Sequence, residues 1–145
     1  MASKVKVSPT TSEDRYTTTT PLGNHEPSFD ACALAAAAGA GLVGRETTMQ
    51  APALKNLIKE GIAHSGFSFI EVISDCTEIY GRKNDLGSSP EMILRQKAGA
   101  RPESYGGSVD RPFRPGPWKT GVLARNDSPE YREAWRRHAA RREDA

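Results

Sequence analysis

The stretch from Phe67 to Ile73 does most to limit what this chain can become. Gly66 precedes it and the polar run Ser74-Asp75-Cys76-Thr77-Glu78 follows it. Aromatic and β-branched residues dominate, and the length suits a buried strand rather than a helix. A helix-period stretch leads into it: Leu54, Leu57, Ile58 and Ile62 share one face, with Lys55, Lys59 and Glu60 opposite. A strand entered from a helix in this way belongs, in most folds, to a parallel sheet. Ligands in open parallel sheets gather beyond the carboxyl ends of the strands. Chemistry is therefore expected between Asp75 and Asn84, where a cysteine, acids and the basic turn Arg82-Lys83 fall together.

The rest of the chain is organised around that strand. Asp30 supplies a helix N-cap ahead of Ala31 to Ala38, and Gly39 and Gly41 mark the helix end. Leu42 to Arg45 is a short strand candidate, and Thr47 or Thr48 opens the helix that carries Leu54 to Ile62. Ser88-Ser89-Pro90-Glu91 is a further helix start. From Ala98 to Trp118 Gly, Pro and Arg predominate, and Pro112, Pro115 and Pro117 forbid regular structure. Thr120 to Ala124 is expected as a short edge strand. Ser128-Pro129-Glu130 opens a terminal helix whose Tyr131, Trp135 and Ala139 form a narrow docking stripe. Met1 to Asn24 is rich in Thr, Ser and Lys and is expected to be disordered unless a partner holds it. The expected division is an extended segment over 1–24, an α/β core over 25–97 and a C-terminal extension over 98–145.

Composition excludes several classes. The 145 residues suit one domain, and 37% hydrophobic content is concentrated between Phe29 and Ile93. A net charge of +2 argues against a dedicated nucleic-acid binder. The Ala-rich run from Ala31 to Ala40 is too short and too weakly apolar for a membrane span, and no signal peptide is apparent at Met1. Two cysteines without an export signal imply reduced thiols and a cytoplasmic protein. Gly39-Ala40-Gly41 followed by Gly44 spells a dinucleotide fingerprint in letters, but it follows a helix where the fingerprint needs a strand.

Each candidate residue has a plain reading beside the functional one. Cys76 reads from the sequence as a small buried thiol at a strand end, as most free cysteines are. His25 is a solvated loop histidine or a cofactor contact. His64 complements a helix end, and His138 sits among arginines. Glu71, on a central strand, needs a partner, with Arg45 or the Arg82-Lys83 turn as the natural choice. Arg82 and Lys83 are surface cations or a fixed anion clamp.

Asn24-His25-Glu26-Pro27 through Gly39-Ala40, Gly66-Phe67-Ser68-Phe69-Ile70-Glu71-Val72 with Cys76, and Tyr80-Gly81-Arg82-Lys83-Asn84 together resemble a known family. The chain looks like the C-terminal half of the β subunit of 2-oxoacid:ferredoxin oxidoreductases, with the Tyr-Gly-Arg-Lys-Asn form closest to the 2-oxoglutarate branch. Val7-Ser8-Pro9-Thr10-Thr11, Thr17 to Pro21, and Lys119 to Leu123 with Pro129-Glu130-Tyr131 extend the likeness. The resemblance implies half of a doubly wound parallel sheet that binds thiamine diphosphate. It also implies oxidative decarboxylation of a 2-oxoacid to its acyl-CoA, with electrons passed to ferredoxin. Asn24, His25 and Arg82 are the candidate cofactor contacts, and Cys76 resembles one ligand of a [4Fe–4S] cluster. The family's Gly-Asp-Gly stretch, which holds magnesium and the diphosphate, has no counterpart in these residues. The expectation is therefore a chain completed by an α subunit and by a partner carrying the missing half, inactive alone and poorly soluble through an exposed sheet edge. The competing expectation is a non-catalytic scaffold or truncated remnant.

Overall fold

The computed structural model describes residues 8–102, 118–127 and 129–143. Met1 to Val7, the prolines Pro112, Pro115 and Pro117, and Ser128 lie outside them. Helix α1 (Ala31–Ala37) opens as expected, with the Asp30 carboxylate accepting from the Ala33 N–H at 3.0 Å. Strand β1 (Leu42–Thr47) follows, then a short 3₁₀ turn at Thr48–Gln50 and helix α2 (Ala51–Ala63). Pro52 fits the first turn of α2, where no backbone donor is needed. Strand β2 (Ser68–Ile73) leads into a single wide turn at Thr77–Gly81, and helix α3 (Ser89–Gly99) runs directly into β3 (Ala100–Pro102). The carboxylate of Glu91 accepts from the Ser88 N–H at 2.6 Å and the Ser88 hydroxyl at 2.8 Å, closing the start of α3. Strand β4 (Trp118–Arg125) and helix α4 (Tyr131–Glu143) complete the described chain.

The architecture is α/β, but the sheet is mixed rather than parallel. Its order is β2-β1-β4-β3. The β1–β2 pair is parallel, β4 runs antiparallel to β1, and β3 lies parallel to β4. This places Thr120 to Ala124 inside the sheet, between β1 and β3, and not on an edge. The weak apolar pattern of β4 misleads because a bulge at Val43/Gly44 shifts its register halfway along, so no single alternation runs through it. The expected central strand is the edge one. β2 is only half-buried along its length, whereas all six residues of β1 are buried.

Alternation across the sheet separates two packed faces. Val43 and Phe69 join Cys32, Ala35, Ala36, Ala40, Leu123 and Ala124 under α1. Gly44 faces α2 instead, where Leu57 fills the space a side chain would need: a Cβ on Gly44 would stand 2.6 Å from Leu57 Cδ1. Helix α2 is turned away from its expected face. Leu57 is buried, but Ile58 is 40% and Ile62 80% exposed. The reason is Gly61, whose missing side chain leaves room for Ile70 at 2.7 Å from a built Cβ and whose carbonyl accepts from the Ser68 hydroxyl at 2.9 Å. A contact without a side chain is invisible to a hydrophobic pattern.

The N-terminal segment is not loose on the core. Thr11, Ser12, Thr20, Asn24 and Ser28 are buried. Asn24 Nδ2 donates to the Thr11 and Glu26 carbonyls at 2.8 and 2.9 Å, and Ser28 adds a 3.1 Å bond to the same Thr11 carbonyl. Asn84 fastens the segment to the wide turn, accepting from the Tyr16 N–H at 2.8 Å and donating to the Tyr16 and Tyr80 carbonyls. Polar pins substitute here for an apolar stripe. Helix α4 is the converse: Tyr131 is 76% and Trp135 60% exposed, so the expected stripe is solvent-facing in this chain.

Candidate functional site at the carboxyl edge of the sheet

Because β4 runs opposite to β1, its first residue, Trp118, reaches the edge where β1 and β2 end. β3 begins at that edge as well, so α3 delivers its last turn there. The N-terminal segment closes the remaining side. These elements enclose a cleft of about 740 Å³ lined by Ser8, Thr10 to Ser12, Arg15, the β2 end from Glu71 to Cys76, Tyr80, Met92, Arg95, Gln96 and Trp118, among others.

Cys76 sits on this cleft and is exposed, not buried as expected, because β2 is the edge strand of the sheet and its end opens onto the cleft. The wide turn that follows it is closed by the Gly81 N–H donating to the Cys76 carbonyl at 2.8 Å, an i→i+5 bond in place of a regular helical one. Gly81 is buried, and a Cβ there would meet the Cys76 carbonyl oxygen at 2.7 Å and Met92 at 3.0 Å. Only glycine lets the turn close so tightly, and the position of Cys76 depends on it. Asp75, beside it, accepts from the Ser89 hydroxyl at 3.2 Å and so joins β2 to the start of α3.

The other cysteine has the opposite setting. Cys32 is fully buried, with Sγ 3.6 Å from Glu71 Oε2 and 3.7 Å from the Gly44 carbonyl. Arg45 lies beneath it, bonded through Nε to Glu71 and through an Nη to Asp30 at 2.8 Å. One guanidinium thus serves two carboxylates at the α1 face of the sheet. Burial pushes the Cys32 thiol up to about 12, with Glu71 and Asp30 adding to the rise and Arg45 opposing it. A thiol so held is not a nucleophile or a ready metal ligand at neutral pH.

The sequence candidates do not converge. Cys76 lines the cleft; Asn24, His25 and Arg82 do not. Asn24 is 2% exposed and its amide is committed to backbone carbonyls. His25 is exposed on the same segment. Arg82 reaches back to Glu78 at 3.1 Å with both side chains largely in solvent. Of the two partners considered for Glu71, Arg45 is the one it has. His64 ends α2 as expected, with its N–H donating to the Glu60 carbonyl.

Two residues of the cleft went unnoticed in the sequence. Gln96 is 4% exposed, its Oε1 accepts from the Thr48 hydroxyl at 3.1 Å, and its Nε2 has no partner. Trp118 Nε1 is likewise buried without an acceptor. A glutamine in a polar helix and a tryptophan after a Pro-rich run give no local signal; only the mixed topology brings them together. Among the described residues no group of three or more His, Cys, Asp and Glu could hold a metal ion. No helix among them is long and apolar enough to cross a membrane.

Comparison with curated proteins shows what the chain resembles. It is 46% identical over 92 residues to the 2-oxoglutarate synthase subunit KorB of Methanothermobacter thermautotrophicus, covering 63% of this chain and 32% of that protein. The KorB of Methanocaldococcus jannaschii is 46% identical over 88 residues, covering 61% of this chain and 33% of its own length. That of Archaeoglobus fulgidus is 44% identical over 71 residues, 49% of this chain and 27% of the relative. The resemblance to a 2-oxoacid:ferredoxin oxidoreductase β subunit is therefore real, and the chain spans about one third of the length of the curated relatives it matches. No family profile and no solved structure matches it.

Proposed function

We propose that this chain is one part of a 2-oxoglutarate synthase β subunit, contributing to oxidative decarboxylation of a 2-oxoacid to its acyl-CoA with electrons passed to ferredoxin. The observation that carries this reading is identity of 44–46% to four KorB proteins. The mixed α/β sheet is compatible with it, and the open edge of β2 offers a place where further strands of a doubly wound, thiamine-diphosphate-binding sheet could add.

The described residues do not suffice for the cofactors. Magnesium and a diphosphate need a set of oxygen ligands, and a [4Fe–4S] cluster needs four thiolates. The described residues offer one exposed cysteine, Cys76, and no acidic or histidine cluster. In this reading Cys76 gives a single thiolate to a cluster completed by other chains. His25 and Arg82, both exposed, contact thiamine diphosphate only after an α subunit and a chain bearing the missing half have assembled around them in the cytoplasm, and Asn24 holds the segment that presents His25.

The test is anaerobic affinity purification of the tagged chain from its own host. Co-purification of a partner carrying the missing half, with thiamine diphosphate and iron, is expected, and Cys76→Ser should abolish the iron. Recovery of the chain alone without either cofactor would sink the enzymatic reading and leave a scaffold or remnant.

A further inference from the structure

We propose that helix α4 docks against an acidic amphipathic helix of another protein. Tyr131, Trp135, His138 and Arg142 form its seam, and Arg132 and Arg141 select acids beside that seam. This inference stands on α4 alone and does not depend on the reading above. Every residue from Tyr131 to Arg142 is exposed. A helix of 13 residues with no packed face has little stability of its own, and this one carries aromatic surface that could be packed. The four seam residues follow one another at spacings of four, three and four. That is the heptad alternation of a two-helix contact, with Tyr131 and His138 at d and Trp135 and Arg142 at a. The rings already make a continuous ridge. Tyr131 and Trp135 are stacked with centroids 6.5 Å apart, and His138 follows at 6.4 Å from Trp135.

Charge decides the partner. The e and g positions beside the seam are Arg132, Ala134, Ala139 and Arg141, and charges there govern which helix can pair. Neither Arg132 nor Arg141 forms an ion pair among the described residues. The one described ion pair of α4 joins Glu133 to Arg137, at f and c on the outer face, so it neutralises nothing at the seam. A second copy of the chain answers poorly: it offers no acid at e or g, and parallel pairing sets Arg142 against Arg142. Nucleic acid answers poorly as well, because the acids Glu130 and Glu133 open the helix and would meet its phosphates. A helix with an apolar seam flanked by acids complements both the ridge and the arginines.

The chain's two tryptophans make the test internally controlled. The full ¹⁵N-labelled chain is titrated at constant ionic strength with a synthetic peptide helix carrying leucine at a and d and glutamate at e and g. The glutamates also keep the peptide from pairing with itself. The Trp135 indole resonance should shift and saturate, and that of Trp118, in β4, should stay put. Calorimetry then ranks the variants. Trp135→Ala and Arg132→Gln/Arg141→Gln should each weaken binding at least about tenfold, and Arg137→Gln, on the outer face, less than about twofold. An unmoved Trp135, equal affinity for a scrambled peptide of the same composition, or equal loss in the Arg137 variant would overturn the proposal. So would tighter binding of a DNA duplex or of phosphatidylglycerol vesicles, or a dimer of the free chain that Trp135→Ala dissolves.

Discussion

The α1 face of the sheet and its carboxyl edge hold similar residues in opposite circumstances. Under α1, a buried cysteine and arginine and two part-buried acids are bonded to one another. At the carboxyl edge, a cysteine, an acid, two arginines and two residues with unbonded N–H donors line a cleft. Residue type alone would rank both as sites. Satisfaction separates them: a closed network fixes the fold, and an open one is available to something else.

The comparison breaks most severely at Arg45. Replacing it with Met leaves the part-buried Asp30 and Glu71 without a counter-charge, and about 2–4 kcal/mol of stability should be lost in urea unfolding. A loss below about 1 kcal/mol would show that the network is not closed. Gly81→Ala tests the other region. It drives a methyl against the Cys76 carbonyl, so a cost of about 1–3 kcal/mol is expected, together with an altered rate of Cys76 alkylation by iodoacetamide.

The two thiols themselves sharpen the contrast. Cys76 should be alkylated in the folded chain and Cys32 only on unfolding. Cys32 also gives stability a pH signature. Its folded value near 12 lies above the ordinary 9.0, so above pH 9 the unfolded state releases a proton that the folded state keeps. Stability should therefore fall between pH 9 and 12, with a slope of at most about 1.4 kcal/mol per pH unit. Cys32→Ala should flatten that part of the profile. The smallest effect belongs to α4, where Trp135→Ala should change stability by less than about 0.5 kcal/mol, since the side chain is 60% exposed.

Periodicity made α2 and β2 legible, and N-cap chemistry made α1 and α3 so. The prominence of β1 was harder to see, because Arg45 and Glu46 read as surface residues until their partners are known. Arg45 as the partner of Glu71 was within reach, since both lie on neighbouring strands, but Asp30 and Cys32 come from a different element. The N-terminal segment hid its order because asparagine pins leave no hydrophobic trace. The carboxyl-edge location of the cleft follows from β2 alone. Its Gln96 and Trp118 wall follows from β4 running backwards, which no local pattern encodes.

That reversed strand also sets a timetable. β1 is the most buried element, yet one of its two neighbours is more than half the chain away, with Leu42 opposite Arg125. During synthesis the first half can pair β1 with β2, but one side of β1 has to wait until the last strand has left the ribosome. Such distant pairings are slow to form and expose strand edges meanwhile. A nascent chain arrested before Trp118 would present β1 with an unpaired flank, so chaperone capture should peak at that length and vanish once Arg125 has emerged.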